Sequence, residues 1–270
     1  MFWVRLRSSV IIMVVAIVLL VAGGPVLFAG TLVISLIGMW ELYRILGFEK
    51  SILGVVSYAA ACIYYVLVGL GLGGWSLGPL VFFLMALMAV YVVTYPRYRT
   101  EQVLMAFFGV FYVAVMISYL YKIRVMMPDG IFLVWLVFIS SWGCDTCAYC
   151  VGMLFGKHKM TPVLSPKKSV EGGIGGLAGA GLLGVIFALV FREHLTVFAH
   201  PVWMLGIIGV VGGAISMVGD LTASAIKRNY EIKDYGTLIP GHGGILDRFD
   251  SVIITAPLVY YLILLLQQVG

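Results

Sequence analysis

Stretches of about 20 predominantly apolar residues, the length a helix needs to cross a hydrocarbon core, recur from one end of this 270-residue chain to the other. Breaking the sequence at Gly, Pro and charge clusters yields roughly nine of them, near residues 2–22, 25–46, 51–73, 76–95, 101–122, 131–155, 172–192, 201–223 and 248–267. Hydrophobic residues make up 62% of the chain and charged ones 11%, a balance outside that of ordinary soluble domains. In lipid a spanning segment of this length must satisfy its own backbone hydrogen bonds, which selects the helix. The expected fold is all-α: a polytopic integral membrane protein of about nine transmembrane helices.

Orientation is set by the basic residues. With a cytoplasmic N-terminus, all but Lys122, Arg124 and Arg192 of the 17 Lys and Arg residues fall on the inner side. The positive-inside rule then places the C-terminus outside, on the periplasmic side. Arg5 and Arg7 before "SVIIMVVAIVLLVAGG" imitate a cleavable signal. The second span follows Pro25 at once, so the first is read as an anchor in the inner cell membrane. The formal charge of +5 is then mostly topology, with inner loops suited to anionic headgroups or nucleotides. Cys144, Cys147 and Cys150 have a thiolate-site spacing, but inside a helical span and with no fourth Cys nearby. They are read as small packing residues.

Polar residues divide the chain. Residues 1–139 read as a scaffold of about five helices with charges at span ends. Glu41 and Arg44, one turn apart, suggest a local ion pair there. Residues 140–270 read as a catalytic region of about four helices with cytosolic loops, because ionisable residues enter the apolar segments, where they usually mark function.

Four stretches carry that polarity. In "SSWGCDTCAYCVGMLFGK", Asp145, Tyr149, Gly152 and Gly156 share one helix stripe ending at Lys157. A buried Asp145 needs a cation or a donor, and a neighbouring helix would serve as well as a ligand. "GMLFGK" is no phosphate loop of the Walker type, since its glycine spacing is one short and His158 replaces the hydroxyl. In "SPKKSVEGGIGG", Lys167 and Lys168 are either membrane-edge anchors or, with Ser165, Pro166, Ser169 and a helix start, a phosphate grip. Gly172, Gly175, Gly176 and Gly179 suit close helix packing. In "GDLTASAIKR", Asp220, Ser224 and Lys227 lie on one face, as metal and phosphate ligands or as an ion ladder. In "KDYGTLIPGHGGILDRFD", Pro240, Gly241, Gly243 and Gly244 surround His242 ahead of Asp247, Arg248 and Asp250. One acid there is explained by helix capping, but not both.

Carboxylates beside many cations suit Mg2+, which uses one or two carboxylates and completes its shell with water and phosphate. This is the equipment of phosphoryl or nucleotidyl transfer.

At these residues the chain resembles the membrane-bound phosphatidate cytidylyltransferases, or CDP-diacylglycerol synthases. That family's signature is met by Ser224, Lys227, Arg228, Lys233, Asp234, Pro240, His242, Gly243, Gly244, Asp247, Arg248 and Asp250, with "DTCAYCVG", "GK" and "SPKKSVEG" upstream. It covers roughly residues 140 to 251. Cys147 and Cys150 stand where relatives often carry larger side chains.

The resemblance implies attack by phosphatidic acid on the α-phosphorus of CTP, giving CDP-diacylglycerol and pyrophosphate for phospholipid biosynthesis at the cytosolic membrane face. It implies Asp220 and Asp247 as principal ligands of Mg2+ (or Mn2+), with Asp145 and Asp250 beside them and room for a second cation, a monovalent K+ included. Lys157, Ser165, Lys167, Lys168, Lys227, Arg228, Lys233 and Arg248 would hold phosphates, Ser224 would add a hydrogen bond, and Gly243 and Gly244 would admit phosphate to the backbone. His242 would orient a phosphate or a water. Expected partners are CTP, phosphatidic acid and the bilayer, with no nucleic acid; a homodimer stays open.

Competing classes have their own marks. A secondary transporter would place its carboxylates near the midplane, usually with inverted repeats. A cytidylyltransferase for another lipid phosphate would look the same, since acyl pockets leave no signature. An intramembrane aspartyl protease lacks its motifs, with Met217 where glycine is needed, and a GxSxG serine hydrolase pattern is absent.

Overall fold

The computed structural model describes residues 2–72 and 77–269, and side chains from residue 7 to residue 268 outside that gap. The expected end of the third span at residue 73, the start of the fourth at 76 and the side chain of Arg5 lie outside the described residues. The described helices are α1 (Phe2–Ala22), α2 (Gly24–Ile45), α3 (Ile52–Gly69), α4 (Leu77–Val93), α5 (Thr100–Met126), α6 (Gly130–Phe155), α7 (Val170–Val190), α8 (Pro201–Asn229) and α9 (Leu246–Val269). Seven of them, α2, α3 and α5 to α9, are long and apolar enough to cross a membrane; α4 and the Arg7–Ala22 part of α1 are shorter apolar helices. The chain is an all-α, multi-pass membrane protein.

A short hairpin departs from this helical pattern. The segment expected as a plain loop after α6 folds into an antiparallel hairpin, β1 (Lys159–Thr161) with β2 (Ser165–Ser169). Pro166 is tolerated because both strands of a two-stranded ribbon are edges. The hairpin ends where Ser169 caps α7, its Oγ accepting from Gly172 N at 3.2 Å.

The chain divides into two compact units, each built from two segments of sequence: Met1–Tyr121 with Asp234–Arg248, and Lys122–Lys233 with Phe249–Gly270. The first has an aromatic core of Tyr43, Tyr64, Tyr65 and Phe48. The hydroxyls of these three tyrosines are matched: Tyr43 donates to Ala106 O at 2.7 Å, and Tyr65 and Tyr64 bond Ser35 and Ser118 at 2.8 and 3.1 Å. A polar tip with no water to bond would otherwise cost several kcal/mol. Within α5, Val110–Val115 and Lys122–Met126 are wound as π-helix.

The second unit is held by small residues. A Cβ at Gly176 would collide with Cys144 and Ala148 of α6, and one at Gly209 with the Ala180 carbonyl, so α6, α7 and α8 approach backbone to backbone. Of the three cysteines on α6, Cys144 is buried, Cys147 half-buried and Cys150 exposed, all free. Cys147 packs where Gly179 leaves room.

Candidate active site

In the second unit α6 ends beside the β1–β2 hairpin, and the face it turns there carries the expected stripe. Asp145, Tyr149 and Gly152 line a cavity of about 510 Å³, within the roughly 300–1,000 Å³ of small-molecule sites. Gly156 ends the helix instead, and the Ser169 hydroxyl occupies the space a side chain there would take. Ser165, Lys167 and Lys168 enter the cavity from β2 and Asp220 from α8; Met153, Met160 and Met217 make much of its wall apolar.

Lys168 and Asp220 form an ion pair, each about one quarter exposed. The Lys168 ammonium nitrogen is shut off from solvent and makes no aligned hydrogen bond. A buried ammonium has three donors to place, so its cavity position suits a ligand rich in acceptor oxygens.

A second cavity of about 240 Å³ shares Ser165 and Lys167 with the first and adds Ser224, Lys227, Arg228 and Lys233. The expected α8 stripe is therefore split: Asp220 faces the larger cavity, while Ser224 and Lys227 face the smaller. Lys157 lines neither. Its backbone N–H bonds the Glu171 carboxylate at 3.1 Å, beside a 2.5 Å contact between His158 Nδ1 and the same carboxylate.

Asp250 is buried in the same unit, near the start of α9, with Oδ1 accepting from Ser251 N at 2.8 Å. Asp220, Lys227 and Asp145 act on it electrostatically. Yet among the described residues no group of three or more His, Cys, Asp or Glu side chains forms a metal cage. This donor set does not fit a closed all-protein site. It does fit Mg2+ held by one or two carboxylates and otherwise by phosphate and water.

The remaining predicted residues belong to the first unit, in the loop from Asp234 to Arg248. Gly243 adopts φ +86°, a left-handed backbone that a side chain would strain. This lets Ile239 N donate to Gly243 O at 2.8 Å and close the turn around His242. His242 Nε2 lies 3.0 Å from Ser9 Oγ of α1, and Ser8 donates to Pro240 O at 2.9 Å. Asp247 is buried; its Oδ2 accepts from Tyr235 N at 2.8 Å and Gly244 N at 2.9 Å. Arg248 is half-buried one residue on.

The profile of the cytidylyltransferase family matches residues 3–266. A protein named phosphatidate cytidylyltransferase from Staphylococcus saprophyticus is 32% identical over 266 residues, covering 97% of this chain and 98% of that one. One of the same name from Staphylococcus aureus strain COL is 31% identical with the same coverage. Another, from Synechocystis, is 42% identical over 144 residues, 53% of this chain and 46% of that one. The chain belongs to the cytidylyltransferase family.

In this family member the sequence reading missed Glu41. Its carboxylate does not pair with Arg44: Oε1 accepts from Ile245 N at 3.0 Å and Oε2 from Leu246 N at 2.8 Å. The Arg44 guanidinium lies instead 5.4 Å from the Trp40 ring. The available signal was an acid inside an apolar span, ordinarily a mark of function.

Proposed function

We propose that the protein makes CDP-diacylglycerol and pyrophosphate from CTP and phosphatidic acid at the cytosolic face of the inner membrane. A phosphate oxygen of the lipid bonds to the α-phosphorus of CTP, the bond from that phosphorus to the α,β-bridging oxygen breaks, and its electron pair leaves with pyrophosphate. The lipid phosphate is already ionised near neutral pH, so no side chain has to remove a proton.

The observation that carries this reading is the pair of adjoining cavities with opposite linings. The smaller one presents Lys167, Lys227, Arg228 and Lys233 with no acid among its lining residues, which suits a triphosphate chain. The larger one combines Asp145, Asp220 and Lys168 with a methionine wall, which suits a phosphate attached to an apolar body. Lys167 and Ser165 belong to both and would hold the two reacting phosphates side by side.

Asp220, with Asp145 or Asp250 as a second carboxylate, would hold Mg2+. When bound, the ion supplies charge neutralisation between two polyanions and orients the phosphates. Lys168, now held by Asp220, would turn toward the arriving lipid phosphate and screen its charge. The apolar wall would exclude water, which would otherwise compete as nucleophile.

The test is incorporation of radiolabelled CTP into lipid by purified protein in phospholipid micelles. Phosphatidic acid should be labelled, with pyrophosphate released in equal amount. Preferential labelling of a different lipid phosphate would move the substrate assignment, and no labelling of any lipid would overturn the enzyme.

A further inference from the structure

Glu41 is a buried charge that the reaction above does not use. It sits on α2, 1% exposed, within an apolar span. A carboxylate in such a place is costly unless its oxygens are occupied by donors. Here the donors are the backbone N–H groups of Ile245 and Leu246, about 200 residues away in sequence.

Those N–H groups open α9. The first four N–H groups of any helix have no partner within the helix, and Ile245, which precedes Leu246 at the cap position, has no polar side chain to offer. Asp247, in the first turn, reaches back to accept from Gly244 N. Glu41 takes the next two. The cap is thus built from two carboxylates, one on the helix and one from α2, both favoured by the positive end of the helix dipole.

The loop is shaped around that carboxylate. A Cβ added at Gly236 or at Gly244 would run into the Glu41 carboxyl group. Glu41 therefore fixes the loop from both sides, and with it the start of the helix that carries Asp247, Arg248 and, one turn from Asp247, Asp250.

We infer that Glu41 is a positioning residue of the reaction: it sets the backbone of the His-Gly-Gly loop and the start of α9, without touching substrate. This rests on the cytidylyltransferase reading for its effect on rate, but not for its effect on the loop.

The test compares Glu41→Gln and Glu41→Ala with the unaltered full chain in detergent, by amide hydrogen exchange and CTP incorporation. Gln keeps the shape but offers one acceptor and a donor that opposes an N–H. In both variants exchange over residues 235–248 should quicken by about tenfold or more, as loss of a charge-assisted hydrogen bond implies, while α7 keeps its protection. Incorporation should fall by roughly 10²-fold, chiefly in kcat, as small misplacements near reacting groups do. Glu41→Gln should fall less than Glu41→Ala.

Three outcomes would overturn the inference. One is unchanged loop exchange in both variants. A second is faster exchange throughout the chain, with Glu41→Gln indistinguishable from the unaltered protein, which would make Glu41 a fold residue. A third is full incorporation despite a released loop. If the unaltered chain labels no lipid, the proposed function fails, while the exchange arm still decides whether Glu41 holds the loop.

Discussion

Two acids of the first unit, Glu41 and Asp247, and one of the second, Asp220, are used in opposite ways. In the first unit Glu41 and Asp247 accept from four backbone N–H groups, those of Ile245, Leu246, Tyr235 and Gly244, and all four bonds are 2.8–3.0 Å. In the second unit Asp220 pairs with a lysine that lines the same cavity and makes no aligned hydrogen bond. A carboxylate tied to backbone cannot exchange partners without moving the chain. One tied to a lysine can exchange that ammonium for a metal or release it to a phosphate. The first arrangement builds a rigid frame and the second a site with movable charges.

Substitutions at four charged positions probe that contrast, and the sharpest is Asp220→Asn. It keeps the shape of the side chain but removes the charge, and incorporation of CTP should fall by about 10³-fold, the scale of losing a main electrostatic element. Amide exchange over residues 235–248 should stay as it is. Comparable loop release by Asp220→Asn and Glu41→Gln would break the comparison.

Lys168→Ala should follow with a loss of roughly 10²-fold, partly because it strands Asp220 without its partner. The double variant Lys168→Ala with Asp220→Asn should be no worse than Asp220→Asn alone, since groups that act together lose their effect together. Additive losses in the double-mutant cycle would show that the two charges serve separate steps.

Lys227→Ala and Arg228→Ala are milder. Each removes one cation from a cavity that holds four, so the KM for CTP should rise by about tenfold with kcat nearly kept, because ground-state and transition-state binding are lost alike. A large fall in kcat at saturating CTP would show that these cations act on the reacting phosphorus in the transition state and not in binding alone.

Much of the second unit could be read in advance because its signals are local. Asp145, Tyr149 and Gly152 share a face through helix periodicity alone, and the glycines of α7 meet α6 as small residues in lipid do. The hairpin could not be read, since a three-residue and a five-residue strand with proline in one of them leave no alternation to detect. Glu41 was hidden for a different reason. Its partners are backbone groups about 200 residues distant, and Arg44 offered a plausible neighbour three positions away. The π-helical turns of α5 were equally hidden, because Val110–Val115 is an almost wholly apolar run in which no period stands out.

The smallest expected effect lies at His158. Its ring is 79% exposed and lies against the Glu171 carboxylate, which also accepts from the backbone of Lys157 and His158. Two backbone donors hold Glu171 whether or not the ring is present, and exposed ion pairs add little in water. His158→Ala should therefore leave incorporation within about twofold and the unfolding temperature nearly unchanged. Glu171→Ala removes the acceptor for both N–H groups, so the turn between α6 and β1 should exchange its amides faster, with a modest rise in the KM for CTP because Lys167 and Lys168 lie on the strand that follows. If His158→Ala instead matched Lys168→Ala, the ring would have to meet substrate, and movable charge would extend beyond the two cavities onto the exposed rim of the hairpin.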